Sequence, residues 1–179
     1  MNGIFIIAEV DGAIGDRLHA LQLRFDPKLA NESPPHVTVL GSSGAGAIAP
    51  DTSMATLRAA IDPIAASTPP LALTFGPPMR FLQREIVVLP LDPHGPIRAL
   101  HERIKASGLS FGSARYPFTP HCTLSFYPTI TPTSLKPMLA VREQEPWVLH
   151  TLRVYHTRDQ ESAVTTLSRR SSRERRVEQ

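Results

Sequence analysis

Residues 34–40 read PPHVTVL, and residues 119–126 read TPHCTLSF. Each is a short apolar run with the aliphatic and β-branched character of a buried strand, led in by proline. Each is interrupted at the same two places, by His36 and Thr38 in the first run and by His121 and Thr123 in the second. Side chains alternate between the two faces of a strand, so His36 and Thr38 share one face while Val37 and Val39 share the other. His121 and Thr123 likewise point one way, and Cys122 and Leu124 the other. The apolar faces serve a core. The polar faces must find hydrogen-bond partners or line a wet cleft, because an unpaired buried polar group is costly.

Outward from these two strands the chain reads as a repeat. IFIIAEV (4–10) is a strand, Ile14, Leu18, Leu21 and Phe25 lie on one helical face, and Pro27 is expected to end that helix. After HVTVL, a helix is expected from Asp51 as N-cap, with Pro63 kinking or shortening it, then strands at 71–75 and 79–83. The order then begins again with EIVVLPL (85–91), a helix through Ile97, Leu100 and Ile104, the strand HCTLSF, a short helix at 131–141, and strands at 147–158 and 163–169. Ile4 to Ile86 is an offset of 82 (86 − 4), and His36 to His121 is one of 85 (121 − 36). Similar offsets for similar elements indicate a duplication. The expected fold is α+β and bilobal: pseudo-twofold duplicated lobes, each an antiparallel-rich sheet with helices outside, and a central cleft. One such domain is expected over 1–167, its lobes joined near 76–85, with 168–179 as a basic, flexible tail.

Bulk properties narrow the class. The chain has 179 residues, 41% hydrophobic and 20% charged, which is the balance of a soluble globular protein. MNGIFIIAEV has no basic segment before its apolar run, so it reads as a first strand and not a signal peptide. No run is long enough to cross a bilayer. The lone cysteine, Cys122, excludes an internal disulfide, and a cytoplasmic location is expected. The net charge of +3 comes entirely from SRRSSRERRVEQ (168–179), with five Arg and two Glu, which reads as a solvated terminus.

Two imidazoles and two hydroxyls on matched strands suit acid–base chemistry at phosphorus. A neutral His can take a proton from an attacking water or hydroxyl while a protonated one gives a proton to the leaving oxygen. An ordinary imidazole pKa of about 6.5 lets both states coexist near neutrality. Thr38 and Thr123 can hydrogen-bond the non-bridging phosphate oxygens. A single His-x-Thr is uninformative: with seven His and fourteen Thr, chance alone supplies about half a match. Two matches, each after proline and each at the same place in a repeat, carry much more. HVTV (36–39), HCTL (121–124) and the context YPFTPHCTL (116–124) resemble the two-histidine (2H) phosphoesterase superfamily, which includes 2′-5′ RNA ligases and cyclic phosphodiesterases. The resemblance implies a metal-independent, cofactor-free enzyme acting on 2′,3′-cyclic phosphates or 2′-5′ linkages at RNA ends or on small nucleotides. His36 and His121 would be its catalytic pair and Thr38 and Thr123 its phosphate-binding pair. LGSSGAGAIAP, after the first motif, departs from it, being small and glycine-rich where relatives often carry bulkier or charged residues.

Other candidates stand beside these. Arg115 and Tyr116 precede the second motif and Tyr127 follows it; Arg could neutralise a phosphate, and Tyr could stack on a base. Arg80 and Arg84 read as solvated surface. GAGAIA (44–49) fits a dinucleotide-binding pattern, but Pro50 follows where a helix should run, so it reads as a loop, at most a mobile lip of the cleft. Cys122 reads as a buried structural thiol. His19, His94, His101, His150 and His156 lack metal-ligand spacing, and no G-K-[ST] phosphate loop is present, so no metal and no ATP are expected. A monomer is expected. The competing reading is a non-catalytic RNA- or nucleotide-binding module that keeps the cleft.

Overall fold

The computed structural model describes residues 2–81, 85–91, 95–126, 130–157 and 162–167. Arg84, His94, Tyr127 and the basic tail lie outside the described residues.

The chain runs β1 (Ile4–Glu9), α1 (Gly12–Phe25), α2 (Pro27–Glu32), β2 (His36–Leu40), α3 (Met54–Ala66), β3 (Leu71–Leu73), β4 (Met79–Phe81), β5 (Ile86–Pro90), α4 (Gly95–Lys105), β6 (His121–Ser125), α5 (Pro132–Leu139), β7 (Trp147–Leu149), β8 (Thr151–His156) and β9 (Ser162–Thr166). One antiparallel sheet has the order β4-β5-β6-β2-β1-β8-β9, and β3 pairs with β7 in a second, two-stranded sheet. Six of the seven strands are arranged symmetrically about the β6–β2 join, and β9 extends one edge without a counterpart. Reading outward from β6 and β2, each motif strand is followed by the first strand of its own half (β5, β1). Beyond that lies a later strand of the other half (β4, β8). This is the expected α+β arrangement of two antiparallel halves, with the addition that β4 and the pair β8–β9 each join the sheet of the other half. The two motif strands, expected to face each other across a gap, are instead neighbours in one sheet, joined at Val37↔Cys122.

That join is a single register pair, so nearby carbonyls of the motif strands need other donors. Two come from helices, and each crosses between halves. Gln22 of α1 donates through Nε2 to the Thr123 carbonyl at 2.7 Å. His101 of α4 donates through Nδ1 to the Val39 carbonyl at 2.8 Å. Both side chains are buried on otherwise apolar helix faces, among Ile14, Leu18 and Phe25 in α1 and Ile97, Leu100 and Ile104 in α4. The apolar residues recur at helical spacing and join Val37, Val39, Cys122 and Leu124 in one core shared by both halves. Cys122 is fully buried, as its strand phase requires, and burial pushes its thiol pKa up to about 12.

Several boundaries differ from expectation. Pro27 does end α1, but it also opens α2, where its missing N–H costs nothing at the first helical position. Asp26, fully buried, is the hinge: its Oδ1 accepts from Leu29 N at 3.0 Å and its Oδ2 from Phe126 N at 2.7 Å. The cap of α3 is Ser53, not Asp51, accepting from Thr56 N at 3.1 Å, and Pro63 is carried within the helix close to its end. The expected strand 147–158 breaks at His150, because Trp147 and Leu149 face β3 while the residues from Thr151 onward join β1.

The glycine-rich loop is not a mobile lip. Gly44 N donates to Tyr116 O at 2.9 Å, Arg115 N to Ser42 O at 2.9 Å, Gly112 N to Ala47 O at 2.8 Å and Ala49 N to Ser110 O at 3.0 Å. These bonds clamp residues 42–49 to the segment leading into the second motif. The clamp needs glycine twice. Gly44 and Gly46 have φ of +74° and +91°. A Cβ on Gly44 would meet the His101 ring at 2.3 Å, and one on Gly46 would meet the Gly112 carbonyl oxygen at 2.2 Å. Gly46→Ala therefore combines a left-handed residue with a backbone clash and is expected to cost at least about 1 kcal/mol. Urea unfolding of the variant measures this, and an unchanged midpoint would contradict the clamp.

Candidate active site

His36, Thr38, His121 and Thr123 stand on one face of the main sheet, at its centre. Their strands have identical burial patterns, with the His and Thr positions half-buried and the alternate positions fully buried. One step either way along the antiparallel register from Val37↔Cys122 sets His36 opposite Thr123 and Thr38 opposite His121. The four polar groups form a diagonal square, with each imidazole beside the other half's hydroxyl.

The two imidazoles are held in the same way. His36 Nδ1 lies 2.8 Å from the Pro34 carbonyl, and His121 Nδ1 lies 2.7 Å from the Thr119 carbonyl. A carbonyl only accepts, so in each ring Nδ1 carries a proton and Nε2 is the nitrogen that can exchange one. The acceptor is two residues upstream in both cases, and the prolines of PPH and TPH supply the chain direction that makes this turn back possible. Ser33 Oγ also sits 3.1 Å from His36 Nδ1.

Burial lowers the pKa of both imidazoles. For His36 this is opposed by the Pro34 hydrogen bond and by the charge of Glu9. For His121 it is opposed by the Thr119 hydrogen bond and reinforced by repulsion from His36. The Phe81 ring meets the His121 ring edge-on, centroids 5.2 Å apart at 83°.

The square is the floor of a cleft of about 970 Å³. One wall is the hairpin β4–β5, with Arg80, Phe81 and Ile86; another is the clamped loop pair, with Ser42, Ser43, Arg115 and Tyr116. The structure thus brings Arg115 and Tyr116 to the cleft as expected of candidate substrate contacts, while Tyr127 lies outside the described residues. Arg80 was expected at the solvated surface and is instead a half-buried cleft residue, with Nη2 bonded to Glu85 at 2.7 Å. Its place near a hairpin read as surface; its proximity to β6 follows from the exchanged strand order, which the sequence does not display. Phe5, Ser42, Ser43, Phe81 and Phe126 also line the cleft without having been singled out. Phe126, 56% exposed, is the most open of the large apolar side chains among the described residues. The tight pairing of loop 42–49 with 110–116 was hidden because Gly, Ser and Ala carry no periodic signal. Of the remaining histidines, His101 belongs to the core, stacked on Phe118 with centroids 3.9 Å apart. Among the described residues no three His, Cys, Asp or Glu side chains cluster as metal ligands would, and no helix there is long and apolar enough to cross a membrane.

The fold is shared with several solved structures. A Thermus thermophilus protein of known structure superposes with a TM-score of 0.62 at 16% identity, covering 94% of this chain and 96% of that one. E. coli LigT complexed with 3′-AMP gives 0.55 at 18% identity, covering 93% and 95%. LigT complexed with phosphate gives 0.56 at 15% identity, covering 93% and 94%. No curated protein sequence matches the chain. The sequence pattern of the 2′-5′ RNA ligase superfamily matches residues 10–161, a span that includes both His-x-Thr strands and both walls of the cleft. The chain belongs to the 2′-5′ RNA ligase superfamily.

Proposed function

We infer that this protein is a metal-independent phosphodiesterase that opens 2′,3′-cyclic phosphates on RNA ends or small nucleotides. The observation that carries this reading is the pair of imidazoles on adjacent strands, each with Nδ1 committed to a carbonyl and Nε2 available for exchange. One His takes a proton from water as its oxygen attacks phosphorus. The bond from phosphorus to one ribose oxygen breaks, and the other His gives that oxygen a proton. The product is a phosphate monoester and a free hydroxyl, with no net change in protons on the protein. Thr38 and Thr123 are in register to hydrogen-bond the two non-bridging oxygens as charge builds on them. Arg115 neutralises substrate phosphate and Tyr116 offers a stacking face; Tyr127 stays a candidate from the sequence alone. That LigT binds phosphate and 3′-AMP in a similar fold supports a nucleotide as occupant. With a 5′-hydroxyl in place of water as the nucleophile, the same two groups would open the cyclic phosphate to a 2′-5′ linkage, one His taking the 5′-hydroxyl proton and the other protonating the departing 3′-oxygen. The lone buried thiol supports action in the reducing cytoplasm.

The test is turnover of an oligonucleotide ending in a 2′,3′-cyclic phosphate, in the presence of EDTA. Wild-type turnover is expected unchanged by EDTA, and His36→Ala and His121→Ala should each lower kcat by about 10²–10⁴-fold. Binding without turnover, equally strong in both variants, would mark the protein as a non-catalytic nucleotide-binding module. The pH profile is a second check. Both imidazole pKa values lie below the ordinary value in the free protein, so the form with a single proton on the pair is most populated on the acid side of about pH 6.5. The kcat/KM profile should be bell-shaped with its maximum there and decline through neutrality, whereas a bound anionic phosphate should move the kcat optimum upward. A kcat/KM that rises steadily to pH 8 would contradict the two-imidazole scheme.

A further inference from the structure

The pseudo-twofold relation makes the two histidines equivalent, yet acid–base turnover needs them to differ. What breaks the equivalence is visible in the register. Across from His36 in the sheet stands Glu9 of β1; across from His121 stands Pro90 of β5. Two residues earlier on those strands, Ile7 pairs with Arg153 of β8, and Val88 pairs with Met79 of β4. Positions held by Glu9 and Arg153 in one half are thus held by Pro90 and Met79 in the other. Glu9 and Arg153 are joined twice: Nε lies 2.7 Å from Oε1, and Nη2 donates to Oε2 at 2.7 Å. In the sheet, β1 with Glu9 stands between β2 with His36 and β8 with Arg153. On the other side, His121 has the edge of Phe81 and the Pro90 ring, neither of which carries a charge.

We propose that Glu9, fixed by Arg153, is a positioning residue that decides which imidazole carries the catalytic proton, making His36 the general acid and His121 the general base. Directly opposed strand residues have Cβ atoms about 4.5–5.5 Å apart, and the Glu9 carboxylate on the strand beside His36 favours its charged form. The other charged or titratable groups around His36 are His121 on β6, Glu32 on α2, Arg80 on β4, and Arg115 and Tyr116 on the clamped segment. Arg80 is paired with Glu85, and Glu32 lies 4.0 Å from Lys28. The opposing Glu9 charge acts on His36 in the direction that holds the proton, and the charge on His36 in turn disfavours a proton on His121. The assignment of chemical roles rests on the phosphodiesterase reading above; the placement of the proton does not.

The experiment is an NMR titration of the imidazole signals in the free protein, assigned with His36→Gln and His121→Gln. His36 should titrate at higher pH than His121. Glu9→Gln should move His36 down by about half a pH unit or more, while Arg153→Met, which leaves Glu9 unneutralised, should move it up. Glu9→Asp should restore most of the wild-type value. Simple loss of a structural ion pair would move both variants the same way, so opposite signs are the signature. His121 titrating above His36, or the two variants shifting His36 in one direction or not at all, overturns the proposal. In turnover, Glu9→Gln should shift only the alkaline limb of kcat/KM, toward lower pH. The expected titration in a protein that shows no turnover would sink the phosphodiesterase reading and leave the placement of the proton standing.

Discussion

The candidate site depends on one pairing, Val37 against Cys122 at the middle of the main sheet. Both residues are fully buried. Because the pleat has a period of two, fixing their side chains in the core fixes the flanking residues, His36, Thr38, His121 and Thr123, on the opposite face. A slip of one residue in either strand would bury the imidazoles and expose the aliphatic set. The register is therefore held by the core, and the core is shared between the halves. With only one ladder pair between the motif strands, Gln22 and His101 complete the join by donating to a strand of the opposite half. A protein built from two similar halves thus has a single centre that neither half could form alone.

How much of this was legible in the sequence varies by residue. His36, Thr38, His121 and Thr123 could be read directly, because polar residues at period two inside an apolar strand have few explanations, and the second copy removed most of them. The phase of Cys122 followed from the same alternation. The α+β repeat was legible from element order, and so was the approach of Arg115 and Tyr116. The exchange of outer strands was not: β4 and β8 look like ordinary late strands of their halves, and which first strand they join depends on chain direction at turns that carry no periodic signal. Arg80 and Phe81 were misplaced or missed for that reason. The loop 42–49 was underestimated because glycine was read as freedom, whereas Gly44 and Gly46 hold positive φ in a packed clamp. Pro27 was read only as a stop, though its fixed φ also starts the following helix.

The physical character of the site is a compromise between burial and access. Burial favours the neutral form of both imidazoles, and the carbonyl that anchors each ring at Nδ1 opposes it. The symmetry that brings the two rings together also makes them equivalent, and the side chains opposite them, Glu9 and Pro90, undo that equivalence. Around this floor the walls differ in kind. The loop wall is a network of backbone hydrogen bonds presenting Ser42, Ser43, Arg115 and Tyr116, whereas the hairpin wall presents Phe81 against the His121 ring and an ion-paired Arg80.

The central claim is that the two motif strands form one phosphate site between two proton-exchanging nitrogens. A crystal structure of the protein with a nucleoside 2′-phosphate tests it most directly. The phosphate should sit over the Val37–Cys122 pair, with His36 Nε2 and His121 Nε2 each within about 2.6–3.2 Å of a different phosphate oxygen and the Thr38 and Thr123 hydroxyls on the remaining ones. A phosphate bound elsewhere in the cleft, or held by only one of the two histidines, would contradict it.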